Sequence, residues 1–285
     1  MKNILIYSLM AYTLFSCAKS SNPTPKPLPA DDTQVKSYTL YSPQLHSKLV
    51  EFFSYDQNDK MATISGHTYD TTSVAWNDSV YLSFNISDAN TLPAYMDVTN
   101  YGQGEPAGGY TDHHLLYYDN NSRLIKDSIS ESNVLDSAVQ KLYYDDLGNY
   151  TVEYYEPNAN ARGGPFIMTQ NDTIIVQSGN LASEINYSYY QGSQTFNYYK
   201  KQMSGAQSNP LYNNKLSTTF GSFFLFNEVG DFLSKNLPSQ TTDQEGGSDQ
   251  ITLNYTWTTN TDGKVVQGIA TDNGGTVQKV YTFTY

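Results

Sequence analysis

Cysteine is almost absent from this chain, which has one among its 285 residues. A lone cysteine cannot form an internal disulfide, so the fold must be held together by its own core, and a chain of this length can bury one. The sequence therefore excludes a disulfide scaffold, and Cys17 is expected to have a role other than an internal disulfide.

Basic residues are also scarce, since Lys and Arg total 16 against 28 Asp and Glu, a formal net charge of -12. This net negative charge would repel a phosphate polyanion such as a nucleic acid. No cluster of Lys and Arg forms a local basic surface that could bind one. We therefore expect no nucleic-acid partner. We expect the negative charge to serve solubility.

Sequence motifs of known chemistry are missing as well. There is no Gly-x-Ser-x-Gly elbow, no His-Glu-x-x-His and no phosphate loop. His113 and His114 are adjacent and so point to opposite faces of a strand, and the Asp-rich turns lack the spacing of a Ca²⁺ loop. We predict no metal site, no cofactor and no catalytic residues, although 28 acidic residues leave room for a carboxylate pair that no motif reveals.

The one long apolar run, Ile4 to Phe15, follows Lys2 and is too short to cross a bilayer of about 30 Å. It predicts a signal peptide over residues 1–16. The run ends in Leu-Phe-Ser-Cys, which resembles the lipobox of bacterial lipoproteins, in which the cysteine is lipidated and becomes the mature N-terminus. The alternative is an incidental cysteine, but the position of Cys17 at the end of the apolar run favours lipidation.

Residues 17–36 are rich in proline, with Pro23, Pro25, Pro27 and Pro29 among small polar residues. This composition favours an extended tether, roughly 50 to 60 Å long at about 3.1 Å per residue. We expect a protein anchored to the outer membrane through the lipid on Cys17. In surface-exported lipoproteins of the Bacteroidetes kind an acidic signal follows the cysteine, whereas Ala-Lys-Ser-Ser follows here, so the membrane face stays open.

Residues 37–285 predict a single antiparallel β domain. No 3.6-residue periodicity persists, and short β-rich runs alternate with Asx/Gly turns. The clearest unit is the hairpin at residues 141–155, with its turn at 145–149. Further hairpins are predicted at 48–67, 73–85, 113–128 and 182–201, and a three-strand meander at 251–285. Loops are predicted at 102–109, 156–172 and 204–214. The segment 217–226 is predicted as a strand or a short helix.

Three copies of Tyr-Asp follow apolar strands and precede turns, at Tyr55, Tyr118 and Tyr144. They resemble the YD repeat of Rhs-type proteins, in which Asp caps the turn and Tyr packs across strands. The spacing is irregular and only the third copy has the glycine, at Gly148, so a regular Rhs shell is not expected.

Motifs in the C-terminal half add a second resemblance. The sequence NPLY from Asn209, the sequence LSKNLP from Leu233 and the closing YTW, TDGKV and YTFTY together resemble a family of Bacteroidetes lipoproteins filed as a domain of unknown function with a porin-like fold. The resemblance implies a curled antiparallel sheet or barrel. It implies no activity, because that family has no established catalytic residues.

Aromatic residues are abundant, with 26 Tyr, and doublets such as Tyr143-Tyr144 place a phenol on each face of a sheet. Cross-strand packing is the ordinary explanation. The functional alternative is a platform for a glycan, for which Trp76 and Trp257 are the best stacking candidates. A membrane-spanning barrel is disfavoured, because Thr, Asn, Ser and Lys interrupt nearly every strand.

The sequence thus leads to a cell-envelope lipoprotein that binds or scaffolds and is not an enzyme. Its expected partners are the membrane and either a glycan or an envelope protein. The alternative is a carbohydrate-active hydrolase with an unrecognised carboxylate pair, in a cleft beside Trp76 or Trp257. We expect recognition to lie in the long loops at residues 102–109 and 156–172.

Overall fold

The computed structural model describes residues 34–55, 61–72, 76–85, 92–102, 109–131, 137–157, 165–190, 193–212 and 234–285. All of them belong to one compact unit, Asp32–Tyr285. The predicted signal peptide, Cys17 and nearly all of the predicted tether lie outside the described residues. So does the segment 217–226.

The described residues form sixteen β-strands and one short 3-10 turn, Pro43–Leu45. The strands are β1 Ser37–Ser42, β2 Ser47–Tyr55, β3 Met61–Asp70, β4 Trp76–Asn85, β5 Tyr95–Gly102, β6 Tyr110–Tyr118, β7 Leu124–Glu131, β8 Ser137–Tyr144, β9 Tyr150–Pro157, β10 Phe166–Gln177, β11 Asn180–Tyr190, β12 Ser193–Ser208, β13 Asn236–Glu245, β14 Ile251–Thr259, β15 Val265–Thr271 and β16 Val277–Thr284. No helix among these residues is long and apolar enough to cross a membrane.

Each strand pairs antiparallel with the next along the chain, and β1 also pairs with β16. The seam between the two ends runs from Ser37 opposite Thr284 to Tyr41 opposite Val280. The hydroxyls of Ser37 and Thr284 lie 2.7 Å apart, and the amide of Lys36 donates to the carbonyl of Thr284. The prediction of an all-β curled or barrel-like meander is confirmed, with a closed barrel as the observed form.

Most predicted hairpins are present as paired strands. Strands β2 and β3, β6 and β7, β8 and β9, and β11 and β12 pair as predicted, and the C-terminal meander consists of β14 to β16. The hairpin predicted at 73–85 is wrong. Residues 76–85 form the single strand β4, because the ladder continues across the predicted turn: Asp78 pairs with Thr68 and Trp76 with Tyr69, with a register shift at Asn77.

The predicted loops were too long. Strand β10 begins at Phe166, inside the segment predicted as loop to residue 172, and β12 continues to Ser208. Strands β1, β5 and β13 were not predicted, because they contain few runs of β-branched residues bounded by turns.

The turn of the hairpin at 141–155 follows from its side chains. The carboxylate of Asp145 accepts hydrogen bonds from the amides of Leu147 and Asn149, at 2.8 and 2.9 Å. Gly148 has a φ of 86°, which suits glycine far better than other residues. Asp119 and Asp272 accept from the second and fourth following amides in the same way. The sequence therefore specifies these turns locally.

Aromatic side chains hold neighbouring strands together at one end of the barrel. The hydroxyl of Tyr144, at the end of β8, donates to the carbonyl of Leu124, the first residue of β7, at 2.9 Å. Equivalent bonds run from Tyr55 to Val35, from Tyr118 to Pro93 and from Tyr285 to Val265. We call these bonds the aromatic clasps. Each one fastens the open end of a strand pair whose other end is a loop.

The two ends of the barrel differ. The terminal rim carries the aromatic clasps, the start of β1, Tyr285 and the capped turns at 118–124, 144–150 and 259–265. The distal rim carries the connections from β1 to β2, β5 to β6, β9 to β10 and β13 to β14. Because strands alternate in direction, every even-numbered strand ends at the terminal rim.

The inward face of the sheet is buried and mixes apolar with polar side chains. Tyr38 and Leu40 of β1 lie in register with Phe283 and Tyr281 of β16, and all four are at most 8% exposed. Buried polar residues on the same face are Glu51, His114, Asp127, Gln140, Asp172, Glu184, Asn186, Gln202 and Thr241. The interior is thus a packed core with a polar sector.

Candidate functional sites

A chain of hydrogen bonds crosses three strands inside the barrel. Ser188 donates to Asn197, at 3.0 Å, Asn197 donates to Asn186, and the amide of Asn186 donates to the carboxylate of Asp172. The register places Asp172 of β10 opposite Asn186 of β11. Burial raises the pKa of Asp172 to about 7, against the opposing effect of the Asn186 amide.

A second buried carboxylate lies on the neighbouring strand. Glu184 of β11 accepts a hydrogen bond from the hydroxyl of Tyr198 and faces Lys200 in the register. Burial raises the pKa of Glu184, while the hydrogen bond from Tyr198 and the charge of Lys200 lower it. Asp172 and Glu184 are 2% and 1% exposed. These acids therefore do not face a cleft that a substrate could enter.

Two histidines, adjacent in sequence, have different surroundings. His114 points inward, with Nδ1 2.8 Å from the carboxylate of Asp127, whose pKa burial raises in spite of the histidine. His113 points outward, with Nδ1 2.6 Å from Asp97. The two rings point to opposite faces of β6, as the alternation of side chains along a strand predicts. Among the described residues, no group of three or more His, Cys, Asp or Glu side chains could hold a metal ion.

A groove of about 340 Å³ opens at the distal rim, between the ends of β13, β14 and β16 and the turn after β1. Three acids, Asp243, Glu245 and Asp249, line it together with Lys279. Asp243 and Glu245 lie on the same face of β13, two residues apart, which corresponds to about 7 Å of strand. The groove is open to solvent and acidic.

A depression of about 430 Å³ lies over β5, β6 and β7. The register arranges its outward residues in two rows of three. One row is Tyr95, Leu115 and Ser128, and the other is Asp97, His113 and Ser130. The first row is mainly apolar and the second is polar.

The two tryptophans differ in what the structure describes. Trp76 begins β4, but its side chain lies outside the described part of the chain. Trp257 of β14 is half-buried, and its ring stacks on Tyr255 at 5.9 Å and lies against Gly268. Its indole N–H donates to the carbonyl of Pro238 at 2.7 Å, so Trp257 forms an aromatic clasp between β14 and β13. Ligand stacking by either ring stays a prediction.

The predicted recognition loops share one rim. Gly102 and Tyr110 bound the first at the distal rim, and Pro157 and Phe166 bound the second there. Residues 103–108 and 158–164 lie outside the described residues, so their part in binding stays a prediction. The lipidation of Cys17 stays a prediction for the same reason.

Neither the buried acids nor the outer depression was predicted from the sequence. The acids had a signal in the sequence. Asp172 is two residues from Ile174, and Glu184 is two residues from Asn186, so each pair lies on one face of its strand. The depression had no such signal, because its six outward residues come from three strands whose register is set only by folding.

No protein-family model matches the chain. No curated protein matches its sequence. Among solved structures, a porin-like protein from Bacteroides uniformis ATCC 8492 is similar over 89% of this chain and 97% of that one, with 12% identity and a TM-score of 0.50. A porin-like protein from Bacteroides vulgatus ATCC 8482 covers 89% and 99%, with 11% identity and a TM-score of 0.47. The first similarity is one of fold alone and agrees with the porin-like fold that the sequence resemblance implied.

Proposed function

We propose that the protein is a lipid-anchored binding module of the bacterial cell envelope and that it is not an enzyme. The topology of the barrel carries this proposal. The chain enters β1 at the terminal rim, so a tether from Cys17 joins that rim. The acidic groove lies at the distal rim, and so do the strand ends that bound the two predicted recognition loops, at the end of the barrel opposite the start of β1.

The outward face supports anchoring by lipid rather than by the barrel wall. Charged side chains lie on it in pairs with tyrosine rings: Lys126 is 4.9 Å from the Tyr117 ring, and Lys141 is 4.4 Å from the Tyr155 ring. A lysine facing lipid near the bilayer centre costs about 2 to 4 kcal/mol. These pairs favour a wall that faces water.

Lipid anchoring is tested with Cys17→Ala in the full chain. We expect the wild type in the membrane fraction of the expressing bacterium and the variant in the soluble fraction. Ser20→Ala, close to the cysteine, is the matched control and should stay with the membrane. Retention of Cys17→Ala in washed membranes would contradict the proposal.

Binding is tested with the soluble Cys17→Ala protein. It is immobilised and exposed to a glycan array and to detergent extracts of the envelope, with heat-unfolded protein as the control. We expect a glycan or an envelope protein to be retained by the folded form alone. A protein that retains neither is not a binding module.

The distal groove favours a second candidate, a carbohydrate-active hydrolase. Hydrolysis of a glycosidic bond needs two carboxyl groups roughly 5 to 9.5 Å apart, and Asp243 and Glu245, on one face of β13 with their backbones about 7 Å apart, can reach such a separation. Trp257 is not among the described residues that line the groove, and the side chain of Trp76 lies outside the described part of the chain. The support therefore consists of the carboxylates alone.

The hydrolase is tested by the release of reducing ends from soluble polysaccharides. Activity that falls at least a hundredfold in both Asp243→Asn and Glu245→Gln, but not in Asp262→Asn on the opposite rim, would make the protein an enzyme. If the wild type releases no reducing ends, the hydrolase is excluded for these polysaccharides and the binding module remains the proposed function.

A further inference from the structure

We infer that the depression over β5, β6 and β7 is a carbohydrate-binding site that accepts one or two pyranose rings on the outer wall of the barrel. This inference rests on the proposed binding function and gives it a location and a ligand class. It places recognition on the barrel wall, apart from the loops at the distal rim.

The dimensions of the site follow from the register. Tyr95 pairs with Leu115 and Leu115 with Ser128, while Asp97 pairs with His113 and His113 with Ser130. Neighbouring strands are about 4.8 Å apart, and residues two apart along a strand are about 6.8 Å apart. The six side chains thus cover about 10 by 7 Å, which is the footprint of one or two sugar rings.

The chemistry of the two rows matches the two kinds of surface on a pyranose. The C–H face of a sugar packs on an aromatic or aliphatic side chain, and Tyr95 and Leu115 are 42% and 47% exposed. The hydroxyls at the ring edge need both donors and acceptors. Asp97 accepts, His113 donates or accepts, and the serine hydroxyls do both.

The polar row is held in place before a ligand arrives. The imidazole of His113 contacts the carboxylate of Asp97 at 2.6 Å, and the hydroxyl of Ser130 donates to the backbone carbonyl of His113. Both members of the His113–Asp97 pair keep exposed surface, 54% and 39% of their side chains. A ligand therefore meets a polar edge with little ordering left to do.

The depression has no strongly charged anchor for a phosphate or a peptide terminus. Its described lining contains the carboxylate of Asp97, the imidazoles of His113 and of the inward-pointing His114, and two serine hydroxyls, with no Lys or Arg among these residues. Such a balance favours a neutral polyhydroxylated ligand over an anion. It also fits weak, repeated binding along a polysaccharide, since the site is shallow and solvent-accessible.

The test is affinity electrophoresis of the soluble Cys17→Ala protein in gels with α-glucan, β-glucan, mannan, xylan or peptidoglycan fragments. We expect at least one to retard the protein, and Tyr95→Ala and His113→Ala to weaken the apparent affinity about tenfold each, as for the loss of a stacking partner or of a hydrogen bond that the ligand covers. Tyr143→Ala, which removes an exposed tyrosine from the same outer face, is the control and should leave the retardation unchanged.

Two results would overturn the inference. The first is retardation that survives both Tyr95→Ala and His113→Ala, which moves glycan binding elsewhere and leaves the binding function intact. The second is no retardation by any of these polymers; the envelope pull-down then decides separately whether the protein binds a protein partner. Thermal unfolding of each variant, expected to match the parent because the sites are exposed, guards against loss of fold.

Discussion

The buried carboxylate of Asp172 makes stability depend on pH. Its pKa is raised from 3.8 to about 7, so the folded protein holds a proton that the unfolded chain releases between these values. The contribution of Asp172 to the free energy of unfolding is therefore fully present below about pH 4. It is lost as the pH rises towards 7, by roughly 2 to 4 kcal/mol.

The corresponding prediction concerns Asp172→Asn, which cannot titrate and keeps an oxygen to accept from Asn186. We expect the variant to lose less stability than the wild type between pH 5 and pH 8 in urea unfolding. Asp249→Asn, on the exposed edge of the distal groove, should follow the wild type. Parallel curves for Asp172→Asn and the wild type would show that Asp172 does not hold this proton.

Gly268 is required by the ring that covers it. A Cβ at this position would lie 2.2 Å from the Trp257 ring, and the two residues are directly paired across β14 and β15. Gly268→Ala should therefore displace the indole and weaken its bond to Pro238, at a cost of about 1 to 3 kcal/mol. Gly247→Ala, with open space around it, should change the unfolding midpoint little. Equal midpoints for both variants would contradict the contact.

At the scale of the strand pair, the aromatic clasps predict a repeated contribution to stability. Tyr144→Phe removes the hydroxyl that donates to Leu124 while keeping the ring over Arg123, which lies 4.5 Å from its centroid. We expect a loss of about 1 kcal/mol in chemical unfolding, or more if the carbonyl of Leu124 stays buried without a donor. Tyr117→Phe, exposed on the outer face, is the control and should be neutral.

The clasps show which elements sequence reasoning can identify. A strand that ends in an aromatic residue and an Asx-capped turn is specified locally, and hairpins such as β8–β9 were predicted with their turns. Strand β13, NLPSQTTDQE, has no such signal. It contains few residues that favour strands, and Pro238 lies at a register shift. Its extended conformation therefore depends on pairing with β12 and β14 rather than on its own sequence.

The candidate sites were less accessible to sequence than the fold. Alternation predicts which residues share a face of one strand, but not which residues of the next strand lie beside them. His113 and Asp97 are 16 residues apart, and only the β5–β6 register brings them together. In the same way, Trp257 was noticeable as a rare residue, whereas its contacts with Gly268 and Pro238 needed the barrel.

At the scale of the whole molecule, the seam between β1 and β16 predicts a specific cross-link. With Cys17 replaced by Ala, Ser37→Cys with Thr284→Cys should form a disulfide on mild oxidation, since the native hydroxyls are 2.7 Å apart. The oxidised monomer should migrate faster than the reduced one on a denaturing gel. Ser37→Cys with Thr256→Cys, two strands further on, should not cross-link, because its Cα atoms are beyond about 7 Å.

The same seam sets the order in which the protein can be completed. Every other strand pair joins neighbours in the chain, whereas Ser37 and Thr284 are 247 residues apart. Distant pairings form late, so β1 is made first and pairs early with β2, but receives its second partner, β16, last. Until then the sheet has two open hydrogen-bonding edges, to which another unfinished copy can add a strand. During folding, the interval between the formation of β1 and the arrival of β16 is thus the period of greatest exposure to misassembly.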